Sequence, residues 1–305
     1  MQPLRGIGFK VASVFVFVAM AAIIKATADD VPPGQAVFFR SFFAAPVILV
    51  WLVLRGQRLV MLKPRDPMGH VWRGLIGTIA MGLGFTGLGL LPLPEVTAIG
   101  YAAPLLTVVF AAMFLGEQVR AFRLTAVALG MVGVLIVLSP RLTLAEGVSP
   151  VETLGAVVTL GGAVFAALAQ VQVRKLVATE NTASIVFWFS VAAAALSLVS
   201  LPWGWVVPSP QTAALLVMAG VLGGIGQILL TSAYRFADAS LVAPFEYTSM
   251  LLALGVGYFL FDEVPTVTML AGAAIIIAAG VLIIWRERQL GIERARQRGA
   301  NTPGG

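Results

Sequence analysis

Cysteine is absent from the 305 residues, which removes disulfides, thiolate nucleophiles and sulfur metal ligands. Histidine occurs once, as His70 in a link rich in Lys and Arg with no second ligand nearby, so a solvated loop histidine is expected and no metal site. Charge is scarce as well: 11% of residues are charged, where a soluble domain carries about a quarter. With 59% hydrophobic residues and a mean hydropathy of +0.96, the composition is that of a membrane protein. No catalytic cluster is in view, so no catalytic residues and no cofactor are expected. Gly82-Leu83-Gly84-Phe85-Thr86-Gly87 fits G-x-G-x-x-G, but it lies inside an apolar helix with no strand before it, and the dinucleotide reading fails. Close packing through small residues explains it, and explains Gly220 to Gly224 equally well.

What the chain does have is length of apolar run. A spanning helix needs about 20 mainly apolar residues, and ten stretches qualify: 8–28, 36–54, 71–91, 95–115, 122–138, 153–176, 182–203, 213–234, 239–261 and 266–285. Short links hold the turn formers, among them Pro92-Leu93-Pro94 and Pro208 to Pro210. Arg5, Lys10 and Ala26-Thr27-Ala28 resemble a cleaved secretory signal, yet the apolar run is too long for one, so a retained first helix is expected. Beyond Trp285 the tail, 286–305, alternates Arg with Glu and should be helical before fading out.

Lys and Arg set the orientation, because cytoplasmic links carry the excess. With the amino terminus inside, all of the 20 basic residues except Lys25, Arg40 and Arg141 fall at the inner face. Both termini are therefore expected in the cytoplasm. The net charge of +6 becomes a topology signal, the lipid bilayer is the partner it implies, and nucleic acid has no part.

The chain repeats itself. Residues 95–118, EVTAIGYAAPLLTVVFAAMFLGEQ, return as 240–263, SLVAPFEYTSMLLALGVGYFLFDE, and an offset of 146 lays Glu117 on Glu263 and Tyr101 on Tyr247. Each copy is followed by a Gly-rich helix ending in GVLIVL or GVLIIW. The expected domains are thus 8–138 and 153–285, five helices each. An odd number inverts the second copy, so the fold class is an all-α polytopic membrane protein with ten transmembrane helices as two inverted five-helix repeats. That arrangement marks secondary transporters, whose substrate site lies near mid-membrane between the halves.

Ionisable and hydrogen-bonding groups within the spans are the candidate substrate contacts, because placing a charge there costs at least about 2.5 kcal/mol. Arg40 lies about 9 Å into the second span and Glu246 about 10 Å into the ninth. Arg40 binds a polar or anionic part of the solute, or else pairs with a helix end such as Glu95; Glu246 does likewise or relays a proton. Tyr101 and Tyr247 sit at matching depths in equivalent helices, where they flank one cavity or anchor the interfaces. Gln170, Gln172, Gln227 and Thr231 add uncharged hydrogen-bonding groups, and Phe187 and Trp188 add stacking surface. Lys25 snorkels from its helix end. Such a cavity suits a small, flat, mostly neutral solute.

LLTVVFAAMFLGEQ ahead of Gly130 and Gly133, with YFLFDE ahead of GVLII, resembles the EamA-type transporters of the drug/metabolite transporter superfamily over about 8–285. The resemblance implies a bacterial inner-membrane protein with a basket of helices around a cavity. The third, fourth, eighth and ninth helices line it mainly, the first, second, sixth and seventh contribute, and the fifth and tenth support them. Met250 stands where Pro104 predicts a proline and Pro244 comes six residues earlier, so the ninth helix departs from the pattern. VPPGQAVFFRSFF, PMGHVWRGL and GLLPLPEVTAIGYAAPLLTVVF are similar to bacterial riboflavin transporters of this family. Riboflavin uptake is the first expectation. Export of amino acids, other metabolites or drugs is the alternative, and a homodimer is left open as the assembly. A membrane-embedded receptor or enzyme would need a sensory domain or catalytic cluster, and the chain shows neither.

Overall fold

A computed structural model describes residues 3–56, 59–115, 121–142, 149–177, 179–236 and 243–300. Glu117, the closing acid of the first copy, and the start of the ninth expected span at 239–242 lie outside these residues. Among the described residues the regular structure is helical, and ten helices follow the expected order. They are α1 (Pro3–Ala26), α2 (Pro33–Leu54), α3 (Pro67–Leu90), α4 (Leu93–Leu115), α5 (Ala121–Leu142), α6 (Pro150–Val177), α7 (Thr182–Ser197), α8 (Pro210–Phe236), α9 (Thr248–Phe261) and α10 (Val267–Ala300). Eight are long and apolar enough to cross a membrane, and the apolar stretches Phe245–Phe261 and Val267–Leu282 supply the other two. The chain is an all-α polytopic membrane protein.

Proline starts many of these helices because its missing N–H is one of the unpaired donors of a first turn anyway. α2, α3, α6 and α8 each begin on one. At α3 the start is doubly fixed, since Asp66 caps it by accepting the Gly69 N–H at 2.9 Å. The helix therefore begins four residues earlier than the apolar run suggests, and carries His70 and Arg73 inside it.

α4 consists of two segments, Leu93–Gly100 and Ala102–Leu115, interrupted at Tyr101. Pro104 has no N–H to give to the Gly100 carbonyl, which weakens the helix there. In the second copy a tight 3-10 turn, Ala243–Tyr247, passes into α9 at Tyr247. At the 146 offset the two irregularities coincide, although the prolines do not.

The packing obeys the exchange of halves. α1 lies on α8 as α6 lies on α3, and α2 meets α8 as α7 meets α3. The pairs α2–α7, α4–α9 and α5–α10 map onto themselves. Glycines permit the close approaches that drive association in lipid. A Cβ at Gly133 of α5 would stand 2.8 Å from the Gly272 carbonyl of α10, and one at Gly272 would stand 2.7 Å from the Gly133 carbonyl. Gly220 and Gly224 press against Phe43 and Val47 of α2 in the same way. The 82–87 glycine run behaves differently: Gly87 abuts Thr159 of α6, whereas Gly82 and Gly84 leave open space beside them.

Backbone meets backbone at the α5–α10 crossing, so no side-chain rotation can relieve an added Cβ. Gly133→Val and Gly272→Val should each lower thermal stability in detergent, by about 1–3 kcal/mol as for other overpacked sites. Wild-type melting of both variants would show that the two helices do not touch there.

Candidate functional site

The near side is the membrane face where α1 begins, and the far side the face where it ends. Between the halves lies a cavity of about 560 Å³, walled by α1, α2, α3, α6, α7 and α8. It extends from Met20, Arg40 and Phe85, in the far halves of their helices, to Val177, Glu180 and Thr182 at the near ends of theirs. Among the described residues, α4 and α9 contribute nothing to this wall, against the expectation that they would be principal lining helices.

Two guanidinium groups dominate the interior. Arg40 projects from α2 and is 3% exposed; its Cζ stands 5.7 Å from the centre of the Phe189 ring. Arg73 reaches the same ring from α3, at 3.8 Å. Nε and Nη1 of both arginines are buried without a hydrogen-bond partner. Space for each comes from a glycine. A Cβ at Gly77 would collide with Arg73 Nη1, and one at Gly223 would stand 2.8 Å from Arg40 Nε. Gly77 and Gly223 are equivalent positions at the 146 offset. Gln170 and Gln227 also line the cavity, as does Thr231, whose hydroxyl donates to the Gln227 carbonyl at 2.7 Å.

The near rim is organised by Glu180, in the link between α6 and α7. Its carboxylate accepts the N–H groups of Arg65 and Asp66 at the start of α3, and His70 Nε2 stands 3.4 Å away at ion-pair distance, without hydrogen-bond geometry. Burial alone raises the Glu180 carboxyl; the two N–H donors and His70 outweigh it and hold the group below the ordinary carboxylate value. His70 is thus buried against an acid, not the solvated loop residue expected.

The far side is closed by charge pairs. Lys25 Nζ meets Glu263 at 2.9 Å and donates to the carbonyls of Leu91 and Leu88 at 2.8 and 3.2 Å. Glu263 in turn accepts the Leu93 N–H at 2.8 Å, at the start of α4. Lys25 therefore does not snorkel; it joins the far ends of α1, α3 and α9. Arg141 holds Glu95 through two hydrogen bonds of 2.9 and 3.1 Å and also pairs with Glu152. Glu95, the helix-end acid expected as an alternative partner for Arg40, is held by Arg141. Gln35 exchanges hydrogen bonds with Val206 at 2.8 and 3.1 Å, and Thr212 donates to Asp30 at 2.6 Å.

The candidate residues divide. Arg40, Gln170 and Gln227 share the cavity. Tyr101 and Tyr247 lie outside it, as an edge-to-face pair with ring centres 5.2 Å apart, and the Tyr101 hydroxyl bonds Ser249 Oγ at 2.6 Å. Glu246 sits in the 3-10 turn, 46% exposed, and pairs with Lys10 of α1. Trp188 faces away from the cavity and donates to the Leu62 carbonyl at 2.7 Å. Arg73, Glu180, Phe85 and Phe189 are cavity residues that sequence reasoning missed, and Arg73 matters most among them. The signal was the Asp66-Pro67 helix start, which places Arg73 about 9 Å inside α3, where the apolar run from Val71 put it at the span's first turn.

Residues 4–139 and 153–285 both match the model of the EamA-like transporter family. The chain belongs to this family. The transporter is 31% identical over 284 residues to an S-adenosylmethionine uptake transporter of Rickettsia bellii, covering 93% of this chain and 94% of the relative. It is also 31% identical over 280 residues to the pseudopaline exporter CntI of Pseudomonas aeruginosa, covering 91% and 95%. A crystal structure shares the transporter's fold, with a TM-score of 0.68 at 21% identity over 95% of this chain and 99% of that one.

Breaking one partner of a buried ion pair costs far more than removing both, typically about 3–5 kcal/mol for the single change. Lys25→Met or Glu263→Gln should each destabilise the far closure and lower the melting temperature, and the double variant should recover most of the loss. Additive losses in that cycle would mean the two residues act independently.

Proposed function

We propose that this transporter moves a small, flat metabolite by alternating access, and that the conformation described here opens to the cytoplasm. The positive-inside bias makes the near side cytoplasmic and puts both termini there. The observation that carries the reading is the cavity itself, which runs between the two halves to the near helix ends while ion pairs close the far side. Its volume of about 560 Å³ falls within the range of small-molecule sites. Phe189 and Phe85 offer stacking faces, and Gln170 and Gln227 offer amides that hold a planar ring system by its edge. We assign Arg40, Gln170 and Gln227 to solute contact in this state. Tyr101, Trp188, Glu246 and Tyr247 serve the scaffold around it.

Riboflavin fits the flat, hydrogen-bonding part of this description and follows from the sequence wording. S-adenosylmethionine and pseudopaline enter as candidates through the two relatives. One relative is a carrier for uptake and the other for export, so family membership leaves the direction open.

Because the chain has no cysteine, single cysteines report accessibility without background. Gln227→Cys should react with a membrane-impermeant thiol reagent in inverted vesicles and resist it in intact cells, whereas Thr212→Cys should be protected from the cytoplasmic side. Labelling of Gln227→Cys from the periplasm alone would reverse the orientation. In proteoliposomes, flux of riboflavin, S-adenosylmethionine or pseudopaline above protein-free vesicles identifies the solute, and flux of none of them removes all three.

A further inference from the structure

The charged residues that line the cavity are Arg40, Arg73 and Glu180. Glu180 is committed at the rim to the Arg65 and Asp66 N–H groups. The two arginines converge on one ring, at 5.7 and 3.8 Å, and keep buried nitrogens without acceptors. A guanidinium stacked on an aromatic face directs its N–H groups sideways, in its own plane, where they match the paired oxygens of a carboxylate or phosphate. Two like charges near one ring also repel, and an anion bound by both removes the repulsion and the unmet donors. The glycines support the same conclusion. Gly77 and Gly223 leave room that any larger residue would take from the guanidinium groups, and they do so from equivalent helices on the two sides of the cavity.

We propose that Arg40 and Arg73, on the Phe189 platform, form an oxyanion subsite, so that the transported solute joins a flat body to a carboxylate or a phosphate. This rests on the cavity being the transport site and narrows its substrate class. A neutral flat solute such as riboflavin would satisfy the amides and leave both positive charges uncompensated in a low-dielectric site, which binding should not favour. Arg40 was open to a polar or anionic role from its depth alone; Arg73 turns one cation into a fork.

The test uses the full chain in lipid nanodiscs and pairs of solutes that differ in one group: nicotinamide against nicotinate, indole-3-acetamide against indole-3-acetate, and riboflavin against riboflavin 5′-phosphate. The anionic member should raise the melting temperature more than its neutral mate in at least one pair, and the first two pairs against the third separate carboxylate from phosphate. Arg40→Met and Arg73→Met should each weaken that binding by roughly tenfold or more, while Arg40→Lys and Arg73→Lys keep part of it. Without solute, each Met variant should melt at or above the wild-type temperature, because it removes an uncompensated charge. Equal shifts within every pair overturn the subsite, and so does a marked loss of stability in the solute-free Met variants, which would make the arginines structural. Anion preference without flux in proteoliposomes would leave the subsite standing and remove the transport reading instead.

Discussion

An ionic group inside a membrane protein must find a counter-charge, a ring face or water, and this constraint arranges the whole molecule. On the far side the matching is internal: Lys25 with Glu263, and Arg141 with both Glu95 and Glu152. Each pair joins ends of different helices, so satisfying the charges and closing the far side are the same event. In the cavity the matching is incomplete, and two guanidinium groups rest on Phe189 with donors unspent. On the proposed reading, that imbalance is what a carrier offers its cargo. A site with every group already paired has nothing left to offer a solute.

Duplication explains where order and departure fall. Helix pairings, the interruption of α4 at Tyr101 with the 3-10 turn that enters α9 at Tyr247, and the glycines at 77 and 223 all survive exchange of the halves. Arg73 does not, since Ala219 occupies its position at the 146 offset. The shared features are those that shape a cavity between two inverted units. Arg73 and Arg40, which falls on Val186 at the same offset, give the cavity its sign.

Hydropathy and the repeat made the helix order and the family readable before any coordinates, because ten apolar runs in lipid leave little choice of fold. Helix starts were harder. An apolar-run reading opened the third helix at Val71, while the Asp66 cap and Pro67 start it earlier and carry Arg73 into the interior. Lys25 looked like a helix-end residue reaching for water; its partner Glu263 is more than two hundred residues away, a pairing that sequence spacing does not reveal. Glu246 had the look of a residue deep in a long span. The 3-10 turn instead places it at a helix start within reach of Lys10. Depth along a segment was legible, and the direction in which a side chain points was not.

The meeting of Tyr101 and Tyr247 has a consequence for energetics. A strictly twofold molecule would keep every contact when its halves are exchanged by rotation. One ring gives its edge and its mate gives its face, and the Tyr101 hydroxyl is tied to Ser249, whose counterpart in the first copy is Ala103, a residue with no hydroxyl. That tether is not reproduced by the rotation that exchanges the halves, so any two conformations related by that rotation differ in energy.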